Sequence, residues 1–142
     1  MTLRPDTIRE RLALVRTYLS VLGATAALPR DRFLADRKEQ WAAAYALQTT
    51  VQALLDAGAH ILSGYFKESP REYAEIVPQL IRHSVIEAPL GERLLQVAGF
   101  RNILVHEYAA VDYALVHAKL GRLDDLAAFA AALEAWLSTQ GL

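Results

Sequence analysis

Four polar or ionisable residues interrupt an apolar segment late in the chain, and their types suit chemistry on a phosphate group. Arg101, Asn102, His106 and Tyr108 lie within residues 99–108, where most of the other side chains are apolar. A guanidinium can bind a phosphate through paired hydrogen bonds, and an imidazole can move protons near neutral pH. Together, an arginine and a histidine form a minimal set for cleaving a phosphodiester without a metal ion.

Helical spacing places these residues on two faces. At about 100° per residue, Arg101 and Tyr108 lie about 20° apart and continue a seam of apolar residues, so Arg101 should point toward the core or an interface. Asn102 and His106 lie one turn apart on an adjoining face, where they could bond each other or share a ligand. Arg101 and His106 are about 140° apart, so a single straight helix cannot aim both at one atom. Either the helix is distorted near Gly99 or, as we favour, two copies related by a twofold axis contribute their residues to one cleft.

The other histidines and the standard motifs indicate no second site. His60 and His117 have apolar neighbours, which is typical of a partly buried or surface histidine, and His83 is placed to close a helix. The sequence contains no zinc-hydrolase, phosphate-loop or serine-hydrolase motif. It has no cysteine, which excludes a disulfide framework and a thiolate zinc site. We therefore expect neither a metal nor a cofactor.

The apolar periodicity and the turn residues predict the elements that must position these side chains. Five helices and no strands are expected, over residues 7–26, 31–65, 70–83, 88–119 and 123–138. Asp6 or Thr7 is placed to cap the first helix, and Ser69 and Glu72 have the spacing of a capping box for the third. The fourth helix should continue past Gly99, with a bend or break at that glycine.

Length and composition favour one helical domain. Of the 142 residues, 54% are hydrophobic and 22% charged, with only 7 Gly and 5 Pro. We predict an all-α, antiparallel bundle of about five helices that forms a single domain over residues 1–142. The polar start and the absence of a long apolar run argue against a signal peptide or membrane span, so a cytoplasmic location is expected. With a net charge of -1, any polyanion must be held at a local site.

The spacing Arg101-x4-His106-x-Tyr108, within RNILVHEY, resembles the signature of the HepT toxins, a branch of the HEPN superfamily of small α-helical ribonucleases. The helical layout is similar to that of HepT proteins over nearly the whole chain. The resemblance implies a homodimer whose two copies of Arg and His line one cleft and cleave RNA. It also implies that Arg101 stabilises the phosphate, His106 acts as general base or acid, Asn102 supports the site and Tyr108 is the position that receives AMP.

The same resemblance implies a protein partner. HepT proteins are toxins of type VII toxin–antitoxin systems, and their MntA antitoxin, a minimal nucleotidyltransferase, transfers AMP from ATP onto the motif tyrosine. AMP on Tyr108 would add bulk and negative charge beside Arg101, where it would compete with RNA phosphate. Two alternatives stay open. The motif residues could form a satisfied polar network in the bundle, or the chain could be a non-catalytic HEPN partner or substrate-binding subunit of a minimal nucleotidyltransferase.

Overall fold

The computed structural model describes residues 2–142, and over that range it contains helices joined by short turns and no strand. The helices are α1 (Pro5–Ala26), α2 (Arg30–Ala35), α3 (Arg37–Gly64), α4 (Ile76–Arg82), α5 (Ala88–Leu94), α6 (Val97–His106), α7 (Tyr113–Leu120) and α8 (Leu123–Thr139). Single 3-10 turns precede α4 at Tyr73–Glu75 and follow α6 at Tyr108–Ala110. The predicted all-α fold class is confirmed. Met1, the first residue of the predicted domain, lies outside the described range.

The core is built around α3, the longest helix. It packs against α1 along much of its length, and also against α4, α6 and α8. Apolar residues at four- and three-residue steps predict one buried face for the first helix, at Ile8, Leu12, Val15, Leu19 and Leu22. Leu19 is partly buried, and the other four are inaccessible to solvent. Burial of each such side chain contributes about 1.5–3 kcal/mol, so these side chains hold α1 against α3.

The first and third helices begin differently from the prediction. Helix α1 begins at Pro5, before Asp6 and Thr7, and neither residue caps it. The fixed φ of proline and its missing N–H suit the first helical position, so the helix starts there. Ser69 and Glu72 form no capping box, because α4 begins only at Ile76.

The predicted second helix is divided at Asp36, and the last part of the predicted fourth helix begins anew after Asp112, as α7. Both aspartates have an extended backbone, and the side chain of each accepts hydrogen bonds from the backbone N–H groups two and three residues later. The distances are 3.0 and 3.2 Å for Asp36, and 2.9 and 3.3 Å for Asp112. An aspartate in this role begins a new helix. Asp36 also follows the last residue of α2, whereas α6 ends six residues before Asp112. Gly99 is not a break, because α6 runs through it, and the chain leaves the helix earlier, at Leu95 and Gln96.

Among residues 2–142, no helix is both long enough and apolar enough to span a bilayer.

Candidate active site

Arg101 lies on α6, partly buried, and its guanidinium fits between α3 and the 3-10 turn at Tyr73. Its Nε donates to Oε1 of Gln52 at 2.6 Å, and its Nη1 donates to Oδ1 of Asn102 at 2.9 Å. The Tyr73 ring covers one face of the guanidinium, with 4.5 Å between Cζ and the ring centroid. The expectation that Arg101 points toward the protein is therefore fulfilled, and the partners that offset its desolvation are neutral oxygens and an aromatic face.

Gln52 links Arg101 to two further residues. Its Nε2 donates to Oδ1 of Asp56 at 2.8 Å and to the hydroxyl oxygen of Tyr73 at 2.9 Å. Gln52 and Asp56 are four residues apart on α3 and so lie on one face of that helix. Sequence reasoning did not identify Gln52, Asp56 or Tyr73. The four-residue spacing was visible, but only the fold brings residues 52 and 73 beside residue 101.

His106 is the last residue of α6, and its side chain is exposed. No hydrogen bond joins it to Arg101 or to Asn102 among the described residues. The carboxamide of Asn102 is instead oriented by Arg101. Because α6 is unbroken through Gly99, distortion at that residue does not bring Arg101 and His106 together. Their pooling across two copies stays a prediction.

Tyr108 lies beyond the end of α6, in the second 3-10 turn, with 77% of its surface exposed. The predicted alignment of Tyr108 with Arg101 on one continuous helical seam is wrong. Glu107 leaves the helical conformation, with φ -118° and ψ 32°, so helical spacing no longer applies after His106. The exposed phenol is accessible to an external reagent or enzyme.

The remaining histidines have structural partners, as the sequence indicated. His83 closes α4 and stacks on Phe66, with ring centroids 4.1 Å apart. The ring of His117 lies 5.4 Å from that of Phe33. Nε2 of His60 accepts the backbone N–H of Arg4 at 3.0 Å. Within the described part of the chain, no three His, Asp or Glu residues are grouped so that they could hold a metal ion.

The surroundings of His60 perturb the pKa of its imidazole. Burial foremost, and then the positive charges of Arg11 and Arg4, lower the pKa of His60 below its ordinary value. All three effects disfavour the positively charged form of the imidazole. The neutral imidazole can then accept the Arg4 N–H, which ties the start of α1 to α3.

Comparison with known proteins gives consistent matches. The sequence model of the family described as Ribonuclease HepT-like matches residues 8–133. The tRNA nuclease HepT of Aphanizomenon flos-aquae is 29% identical over 110 residues, which cover 78% of this chain and 75% of that protein. A putative RNase of Archaeoglobus fulgidus is 29% identical over 96 residues, covering 68% and 72% respectively.

Two solved structures have the same fold. A tri-AMPylated Shewanella oneidensis HEPN toxin, in complex with its MNT antitoxin, matches with a TM-score of 0.81 and 23% identity over 92% of this chain and 98% of that one. The cytosolic protein YutE of Bacillus subtilis matches with a TM-score of 0.83 and 19% identity over 99% of this chain and 95% of that one.

Proposed function

Because this chain belongs to the HepT-like ribonuclease family, we propose that it is the toxin of a type VII HepT–MntA pair and cleaves RNA without a metal ion. The observation that carries the proposal is the arginine site. A guanidinium of fixed orientation and an exposed imidazole project from one helix, at residues 101 and 106. We expect the protein to act in the cytoplasm, where RNA is found.

The reaction uses the 2′-hydroxyl of RNA as nucleophile. His106 accepts the hydroxyl proton while the 2′-oxygen forms a bond to the adjacent phosphorus, and the bond from phosphorus to the 5′-oxygen of the next nucleotide breaks. A protonated imidazole returns a proton to that leaving oxygen, which gives a cyclic phosphate and a 5′-hydroxyl. Arg101 stabilises the negative charge that develops on the phosphate oxygens, and Asn102 supports it by accepting from Nη1.

The site is completed by a second copy of the chain. In one copy, Arg101 faces α3 and the Tyr73 turn, whereas His106 faces solvent at the end of α6. A homodimer whose α6 helices meet across a twofold axis supplies the His106 of one copy to the Arg101 of the other. Light scattering at micromolar concentration should give about twice the chain mass of 15.7 kDa. A protein that cleaves RNA as a strict monomer would refute the shared site.

Control by a nucleotidyltransferase antitoxin would act at Tyr108. The Shewanella toxin is tri-AMPylated in complex with its antitoxin, and the Tyr108 phenol of this chain is largely exposed. Incubation with an MntA-like nucleotidyltransferase and ATP should add the mass of one or more AMP groups. Tyr108→Phe should gain none. Equal labelling of Tyr108→Phe and the wild type would contradict this assignment.

The decisive experiment is expression without the antitoxin, combined with cleavage of purified RNA in the presence of a chelator. The wild type should arrest growth and cleave RNA, while His106→Ala and Arg101→Ala should do neither. His60→Gln is the matched control, because it changes a histidine whose partner is Arg4 rather than the site. Toxicity that survives both site substitutions would refute the catalytic assignment. A wild type that binds a nucleotidyltransferase but never cleaves RNA would favour the non-catalytic alternative.

A further inference from the structure

We propose that Gln52 and Tyr73 form a receptor for the guanidinium of Arg101, and that Asp56 fixes the orientation of Gln52 so that the arginine is held ready for RNA phosphate. This assignment rests on the proposed ribonuclease function. It makes Gln52, Tyr73 and Asp56 positioning residues, since none of them is required to touch the reacting atoms.

The guanidinium is held on three sides. Gln52 accepts from Nε, Asn102 accepts from Nη1, and the Tyr73 ring covers one face. A guanidinium has five N–H donors, so two are engaged and three remain, all on the terminal nitrogens. Nη2 keeps both of its N–H groups and Nη1 keeps one, so donors remain for the oxygens of a phosphate. The arrangement therefore orients the arginine without using up its capacity to bind an anion.

The orientation of the Gln52 amide depends on Asp56 and Tyr73. Both present an oxygen to Nε2, at 2.8 and 2.9 Å, so the carbonyl oxygen of Gln52 must turn toward Arg101. With the amide reversed, an NH2 group would face the guanidinium, and two donors would oppose each other. Asp56 thus acts on Arg101 through Gln52.

A neutral residue at position 52 also preserves the positive charge of the site. No salt bridge joins Asp56 to Arg101 among the described residues, because Gln52 lies between them. A carboxylate in direct contact with the guanidinium would compete with RNA phosphate for it. An amide oxygen holds the same N–H without neutralising the cation.

The distance between the two elements of this receptor is fixed by close helix packing. Tyr73 is joined to α4 by its 3-10 turn, and α4 approaches α3 at Gly58. A Cβ at Gly58 would come within 2.8 Å of Cδ1 of Leu80 and 3.1 Å of Cγ2 of Ile76. The glycine allows the close approach of α4 to α3 that brings the Tyr73 ring over Arg101.

The first test measures RNA cleavage under single-turnover conditions with saturating RNA. We expect Gln52→Met, which keeps side-chain volume and helix propensity, to lower the rate constant about 10–100-fold, as loss of an orienting partner typically does. The RNA concentration for half-maximal rate should change less than the rate constant does. Gln48→Ala, on the same helix one turn earlier, is the control and should stay near the wild-type rate. Urea unfolding of each variant shows whether a lost rate reflects lost folding.

The second test asks directly whether Gln52 builds a guanidinium site. Guanidinium ion, at concentrations well below those that unfold proteins, should restore part of the activity of Arg101→Ala, because the vacated receptor can bind it. It should not restore Arg101→Ala/Gln52→Met. If Gln52 only stabilised the fold, replacing it would not change how much activity guanidinium ion restores to Arg101→Ala.

The outcomes separate the two proposals. If the wild type cleaves RNA but Gln52→Met does so at the wild-type rate, or guanidinium rescues both arginine variants equally, the receptor is refuted and the ribonuclease stands. If guanidinium rescues neither arginine variant, the receptor is likewise refuted. If the wild type cleaves no RNA, both proposals fail.

Discussion

The contact between α4 and α5 leads to a sharp prediction, because Gly91 of α5 lies buried against Ile81 of α4. A Cβ added at Gly91 would overlap both Cγ1 and Cδ1 of Ile81. Isoleucine in a helix has nearly one allowed χ1 rotamer, and a turn about its outer bond would move Cδ1 but leave Cγ1 in place. Gly91→Ala must therefore separate the two helices or force Ile81 from its rotamer.

The magnitude follows from two opposing effects. Overpacking of a core costs about 1–3 kcal/mol, whereas replacing glycine by alanine inside a helix returns up to about 1 kcal/mol. We expect Gly91→Ala to lower the free energy of unfolding by about 1 kcal/mol. Gly23→Ala in α1 is the matched control, because a Cβ there has nothing within 4 Å, and it should stabilise the protein by about 0.5–1 kcal/mol. The difference between the two variants isolates the cost of the overlap, about 1–3 kcal/mol.

The assay is urea unfolding followed by far-ultraviolet circular dichroism. Both variants are made in a His106→Ala background, which removes the proposed toxicity and changes an exposed side chain. For a chain of this size, the expected difference in free energy corresponds to melting temperatures that differ by about 3–10 °C. Equal stability of Gly91→Ala and Gly23→Ala would show that α4 and α5 do not pack this closely at Gly91.

Substitutions at three other positions test other features. The lowered pKa of His60 means that the unfolded chain binds a proton more readily than the folded one. This residue's contribution to stability is therefore complete above the ordinary value of 6.5 and is lost as the pH falls from there through the lower pKa of the folded state. The wild type should lose stability as the pH falls below the ordinary value of 6.5, and His60→Gln should lose less; equal losses would contradict this. Asp112→Ala should destabilise the protein by about 1 kcal/mol through loss of the α7 cap, and Asp112→Asn, which keeps an acceptor, should do so by less. In urea unfolding, equal effects of the two would exclude capping as the cause. Arg101→Lys keeps the charge but loses the Nε donor and the planar fork, so RNA cleavage should fall at least about 10-fold. A lysine variant with wild-type activity would show that charge alone suffices.

Local patterns in the sequence predicted those features that depend on neighbouring residues. The four- and three-residue steps from Ile8 to Leu22 are set within one helix, and these residues are buried as expected except for Leu19, which is partly buried. Arg101 and His106 were recognisable because ionisable groups in an apolar helix are costly and call for a role. The all-α class followed from the same periodicity.

Features that depend on competition between conformations were less predictable. An aspartate such as Asp36 or Asp112 can lie within a helix or cap the next one, and only the packing of the flanking segments decides which. The failure of Ser69 and Glu72 to form a capping box is of the same kind, since Glu75 accepts the Arg71 N–H at 2.7 Å instead. Placing Tyr108 on the face of Arg101 failed because it assumed that the helix continued.

Tyr108 lies in the short segment between the end of α6 at His106 and the cap of α7 at Asp112. Both flanking helices pack against α3. A bulky group attached there would disturb no long helix and no buried contact. Such a modification should therefore leave the free energy of unfolding unchanged, and the modified protein should melt at the temperature of the unmodified one. Activity and stability would then be separable properties of this chain, so an inactivated pool could persist without being cleared as misfolded protein.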